Sequence, residues 1–276
     1  MEAVLRLGVF AGVFVVTALL EVVLPRRPRT RPRGERWLAN IGILLLDVVV
    51  QRFTVGAIAV TAAIWAQSQG IGLFNLVGLP GWLAGLFAFL VLDLAVWAQH
   101  VATHKIPLLW RLHQVHHADL DVDLTTGTRF HPVEILLSAV YKAVIVILIG
   151  ADPWAVVVFE SVLNAAAMLT HANLAVPVPL DRALRWVVCT PDMHRVHHST
   201  VRLETDSNYG FFLSVWDRLF RTMRWAPARG QLGVELGLPY YRRAERLGLG
   251  PLLAMPFGRQ PWAHRRAAAS GGQRAA

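Results

Sequence analysis

The sequence predicts an all-α integral membrane protein: a helical bundle of about three spanning helices plus a helical hairpin, carrying a histidine-rich helical cap on its cytoplasmic side. Three observations predict it. Apolar residues fill 55% of the 276 positions and charged residues only 16%, where an ordinary globular domain has about 25% charged. The apolar residues fall in runs near the ~20 residues that a membrane-crossing helix needs. The formal charge of +9 is carried mostly by arginine, clustered between those runs as in the cytoplasmic loops of a membrane protein. A basic balance alone would also fit nucleic acid, but the apolar runs decide against it.

The first run, residues 7–24, is apolar except for Thr17 and Glu21. No small-x-small cleavage site follows, so it reads as a retained anchor rather than a cleaved leader. Residues 25–36, PRRPRTRPRGER, hold six arginines and mark a cytoplasmic stop. The second run, Ile41 to Ala66, is interrupted by Asp47, Gln51 and Arg52. Asp47 and Gln51 share a helix face and read as a structural polar cluster turned into the bundle. Residues 67–81 carry no charge and read as a translocated loop, followed by a third run from Trp82 to Trp97. Runs 135–150 and 153–170, separated by the turn GADP, read as a short hairpin that dips into the membrane and returns.

With the arginine-rich loop in the cytoplasm, the second and third runs go out and back. The hairpin then leaves residues 99–133 and 171–276 on one side, a layout expected of a bacterial-type inner membrane. The chain divides accordingly into membrane helices (1–98), a histidine-bearing region with its hairpin at 135–170 (99–222), and a basic cytoplasmic segment (223–276). The end of that segment, 265–276, is low in complexity and reads as disordered. The single cysteine, Cys189, permits neither an internal disulfide nor a thiolate metal cage.

Histidine carries the chemistry. HVATH supplies His100 and His104, four apart on one helix face, before Lys105-Ile106-Pro107 ends the helix. LHQVHHADLD supplies His113, His116 and His117, and MHRVHHSTVR repeats the spacing with His194, His197 and His198. In such a triplet the first residue shares a face with both others, which diverge by about 100°, so one triplet can serve two adjacent metals. His171 stands where the hairpin leaves the membrane. Nine histidines exceed what one ion can use, whereas two ions with four or five imidazoles each would use them all. Imidazole suits iron, zinc, copper and nickel alike. His131, before Pro132, reads as a turn or carboxylate-paired residue outside the ligand set, and His264 as a tail residue without function.

HVATH, HQVHH, RFHPVE, HANL and PDMHRVHHS, followed by DSNYGFFLSVWDRLFRT at 206–222, resemble the fatty acid hydroxylase/sterol desaturase superfamily. The resemblance covers roughly residues 95–222. It implies a di-iron centre, use of O2 to hydroxylate or desaturate a lipid such as a fatty acyl chain or sterol-like molecule, and metal ligation by HxxxH and both HxxHH groups. His171 matches a further family position. Some relatives have a second histidine nearby, where this chain has Asn173 and Ala175.

Ligating imidazoles need partners on their outer nitrogens. Candidates are Asp93, Asp119, Asp123, His131, Glu134, Asp192 and Asp206, while Asn208 and Tyr209 are expected along a substrate path. No flavin or nicotinamide fingerprint is present, so the electrons must come from a separate donor, a ferredoxin or a cytochrome with its reductase. The basic face suits an acidic electron carrier and anionic headgroups equally. The rival classes are a histidine-rich metal-binding or transport protein, which would spread ligands along a membrane path, a membrane haem protein, which would use isolated axial histidines, and a metal-dependent lipid hydrolase, which normally includes carboxylate ligands.

Overall fold

The computed structural model describes residues 2–260, and its described residues form helices and loops with three isolated bridges and no sheet. The tail at 265–276 and His264 lie outside them. Five segments are long and apolar enough to cross a membrane: Val4–Val23, Arg33–Val77, Gly81–Lys105, Pro132–Ile149 and Pro153–His171.

Helix α1 (Glu2–Val23) packs along α8 (Pro153–His171), with Arg6 on Glu160. Lys142 of α7 (Pro132–Ile149) reaches the other oxygen of Glu160 at 2.7 Å, so the two charged residues within the apolar runs of the hairpin pair with each other. The second apolar run is not one helix. It breaks at Gly56, whose φ of +54° suits glycine, into α2 (Arg33–Thr54) and α3 (Ile58–Ser68). After the short α4 (Leu73–Val77), α5 (Gly81–Lys105) returns to the histidine end. Ala63, Ala88, Leu92, Val146, Val156 and Phe159 form the core between α3, α5, α7 and α8.

The expected hairpin is formed by α7 and α8, helices of 18 and 19 residues that are each long and apolar enough to cross a membrane. Gly150 caps α7 in the left-handed conformation, and Asp152 caps α8 by accepting from the Trp154 and Ala155 amides. A Cβ on Gly72 would lie 2.3 Å from the Gly150 nitrogen. The hairpin tip therefore meets the uncharged loop at 67–81 at the end far from the histidines.

The arginine-rich loop is woven into the fold as well as being charged. Its prolines hold it extended, and it bridges residues 173–175 just beyond His171: Arg26 donates its amide to Asn173 O, and Ala175 to Leu24 O. Arg26 pairs with Asp192 at 3.0 Å and Arg33 with Glu21 at 2.7 Å, while Arg36 forks onto Asp119 and Asp123, each at 2.7 Å. Burial alone would raise the Asp119 carboxyl, but Arg36 outweighs it and holds the group well below the usual carboxylate range. Glu21 accepts the amides of Leu124 and Asn173, tying α1 to both loops that leave the histidine helices.

Charge counting treats these arginines alike, but their surroundings separate them. Arg36→Ala leaves two buried carboxylates without their main partner and is expected to cost about 3–5 kcal/mol. Arg31→Ala removes only a pair with the exposed Glu35 and should cost less than about 1 kcal/mol. Denaturant unfolding of both variants in detergent micelles measures the contrast.

Candidate metal centre

Four helix ends converge at one end of the bundle. His100 and His104 occupy the last two turns of α5. Ile106, extended before Pro107, turns the chain into α6 (Pro107–His117), which brings His113, His116 and His117 back against them. His171 is the last residue of α8. Thr190 caps α10 (Pro191–His197) by accepting from the Met193 amide; His194 and His197 lie on this helix and His198 is its C-terminal cap. None of the nine rings is more than 6% exposed.

The nine sort into two groups whose ligand atoms lie within 4.8 Å of one another: His100, His104, His113, His117 and His197, and His116, His171, His194 and His198. Each HxxHH triplet is divided between the groups.

Backbone carbonyls set three of the tautomers. His100 Nδ1 lies 2.6 Å from Tyr209 O, His171 Nδ1 2.6 Å from Ala167 O, and His197 Nδ1 2.7 Å from Ser207 O. A carbonyl only accepts, so these Nδ1 atoms carry the proton and their Nε2 lone pairs face inward. The Nε2 of His171 lies 3.0 Å from the Nε2 of both His116 and His194; one lone pair cannot serve two donors well. Two imidazoles bound at right angles to one ion, with bonds of about 2.1 Å, place their nitrogens about 3.0 Å apart. His197 Nε2 and both nitrogens of His104 and His198 are buried with no hydrogen-bond partner. The donor set therefore fits a metal ion in each group.

Burial pushes His113 down to about 3 and, with repulsion among neighbouring imidazoles, holds His116, His117, His194, His197 and His198 well below the ordinary histidine range. All six are neutral at physiological pH, the form that ligates metal.

The expected carboxylate partners divide. Glu134 Oε1 lies 2.7 Å from His113 Nδ1, and Asp206 approaches His104 Nδ1 at 3.5 Å. Asp93 accepts from Trp216 and Leu213, while Asp119 and Asp123 hold Arg36, and Asp192 holds Arg26 and Arg195. His131 caps α7: its Nδ1 accepts from the Val133 amide and its Nε2 donates to Leu253 O. Asn208 is fully buried, with its amide committed to Met193 O and Arg224 O. Its left-handed φ of 51° aims the carbonyls on either side, Ser207 O and Tyr209 O, at two histidines from different helices. The Tyr209 ring packs against His100, His104 and His197, and its hydroxyl is buried without a partner. Sequence reasoning missed Asp217, which accepts the Tyr209 and Gly210 amides and the Trp97 indole. It also missed the three carbonyls, which no residue type announces.

The profile of the fatty acid hydroxylase family matches residues 85–222, half of the 276-residue chain. Human alkylglycerol monooxygenase is 29% identical over 213 residues, 76% of this chain and 46% of the relative. An ornithine lipid hydroxylase of Rhizobium tropici is 30% identical over 176 residues, 63% of this chain and 50% of its own length. Rat cholesterol 25-hydroxylase is 26% identical over 232 residues, 79% and 74% of the two chains. The chain thus spans about half the length of the first two relatives. No solved structure matches it.

Two substitutions separate the supports of the site. Asn208→Ala should cost about 1–3 kcal/mol, from stranded carbonyls and a left-handed backbone that alanine resists. It should also lower metal content. His131→Ala should cost about 1 kcal/mol for the lost cap and leave metal content unchanged. Unfolding curves with elemental analysis check both.

Proposed function

Since the chain belongs to the fatty acid hydroxylase family, we propose that it is a membrane-bound lipid hydroxylase using O2, two iron ions and two electrons from a separate donor. The observation that carries this reading is the sorting of nine buried imidazoles into a five-member and a four-member group containing no carboxylate or thiolate, a donor set that suits iron among the borderline metals. His100, His104, His113, His117 and His197 hold one ion; His116, His171, His194 and His198 hold the other. The bound ions supply the oxidising chemistry that protein side chains lack.

The chain's own contribution is to position and exclude. The carbonyls of Ala167, Ser207 and Tyr209, with Glu134, fix ring orientation, as partners of ligating histidines do. Near-complete burial of the rings keeps bulk water from the reacting centre. A mostly apolar cleft of about 250 Å³ opens between α5, α6 and α7, lined by Ala98, Ala102, Leu109, Leu112 and Leu137 and reaching Glu134. It gives an alkyl chain a place beside the residue that holds His113. Tyr209, with its uncommitted hydroxyl, stands beside the five-histidine group. The names of the three relatives favour hydroxylation over desaturation and a lipid as substrate. The arginine bias supports a cytoplasmic histidine end, where an acidic ferredoxin or cytochrome would dock on the basic face.

The test is mass spectrometry of lipids from cells expressing the protein or its His197→Ala variant under isotopically labelled O2. A lipid gaining one labelled oxygen only with the intact protein is the expected outcome. The reading fails if protein holding about two metal ions per chain, supplied with reductant and host lipids, incorporates no label. Glu134→Ala is expected to weaken metal retention about 10–100-fold, read by competition with a chelator.

A further inference from the structure

We propose that the surface built by residues 178–188 and 211–225 is a wedge set into the bilayer leaflet nearest the histidines, with phospholipid as its partner. The wedge lies along α5. The Phe212 ring is 5.6 Å from Phe89, the Trp216 indole donates to Asp93 at 2.8 Å, and Phe220 stacks on Trp97 at 4.5 Å. At 1.5 Å per residue these contacts cover about 12 Å of α5, and the deepest lies about 16 Å from the level of His100. Residues 81–98 of α5 are apolar apart from Asp93, so the contact runs through the hydrocarbon depth of that helix.

Irregular backbone at such depth persists only where protein groups satisfy it, and here they do. Leu213 donates its amide to Asp93, Cys189 to Phe212 O, and Ser214 to Val187 O; the Tyr209 and Gly210 amides go to Asp217. Asp93, a carboxylate inside a spanning helix, thereby acquires a structural purpose. The outer surface is apolar: Trp186, Val187 and Leu219 are 60%, 61% and 65% exposed, with Leu184, Phe220 and Trp225 also open. Trp82 and Leu86, exposed on the same face of α5 as Phe89 and Asp93, continue it toward the start of that helix. The Trp186 and Trp225 rings are 6.0 Å apart, and the Arg218 guanidinium lies over Trp186 at 5.1 Å. Arg182, Arg221 and Arg224 are exposed on the same segments. Tryptophan beside arginine is the pattern of a membrane interface, and the cations complement anionic headgroups.

The experiment places a nitroxide at Val187→Cys or Leu219→Cys in the full chain, held in nanodiscs of phosphatidylcholine and phosphatidylglycerol. Cys189, the chain's one cysteine, is buried, and the unsubstituted chain taken through labelling is the blank. Collision rates with O2, which concentrates in hydrocarbon, and with a water-soluble nickel chelate are compared with those at Leu232→Cys, an equally exposed position (64%) beside the Asp192 segment. Both wedge positions should show an O2-to-nickel ratio several-fold above that of Leu232→Cys. Ratios equal to the control would place the surface in water and overturn the proposal. Exclusion of both reagents would overturn it too, by showing that a protein partner or a second copy covers the face.

Discussion

The rest of this structure answers to the burial of nine imidazoles in one place. Ring nitrogens of His104, His116, His117, His194, His197 and His198 have no hydrogen-bond partner. Each buried, unsatisfied polar group costs about 1–3 kcal/mol, and the sum rivals the ~5–15 kcal/mol by which a whole domain is stable. A cation shared by each group would take one nitrogen of each ring and so remove part of that cost, and spacings of 3.0 Å between ring nitrogens fit such sharing. The elements around them act as a frame. Prolines open α6, α7, α8 and α10, fixing where each helix begins and hence how far round its axis each histidine falls.

The frame is tightened by charge pairs that lie outside the metal groups. Glu21, Arg26, Arg33 and Arg36 bind the loops leaving α6 and α8 to the first two helices. Removing a positive charge here strands a buried carboxylate, whereas a charge at the rim, such as Arg31, is worth little. A loop that satisfies the positive-inside rule by composition thus also latches the site by geometry.

What could be read in the sequence was what depends on short-range spacing. Apolar runs marked the membrane helices, GADP marked the hairpin turn, and two HxxHH triplets marked a histidine-rich centre. Long-range facts were not legible. Nothing local reveals that the rings of α6 meet those of His197 and His198 so that each triplet splits between two groups, or that Asn208 spends its amide on Met193 and Arg224. Asp119 and Glu134 looked equivalent as carboxylates near histidines, but only Glu134 touches a ring. Where the hairpin tip lands, against the loop at 67–81, was not legible either, because a run of apolar residues reports composition alone. The break at Gly56 hid inside a continuous apolar stretch for the same reason.

The attachment of Glu21 to Asn173 has a consequence in time. The two residues are 152 positions apart, and at about 5–20 residues per second a ribosome needs roughly 8 to 30 seconds to travel between them. Throughout that interval α1 resides in the membrane with its acidic end unpaired by the segment it will hold. His171 is made just before Asn173, and α10 follows. The histidine groups can therefore close only after α1 has waited for ligands made long after it, and the order of synthesis makes the centre a late product of assembly.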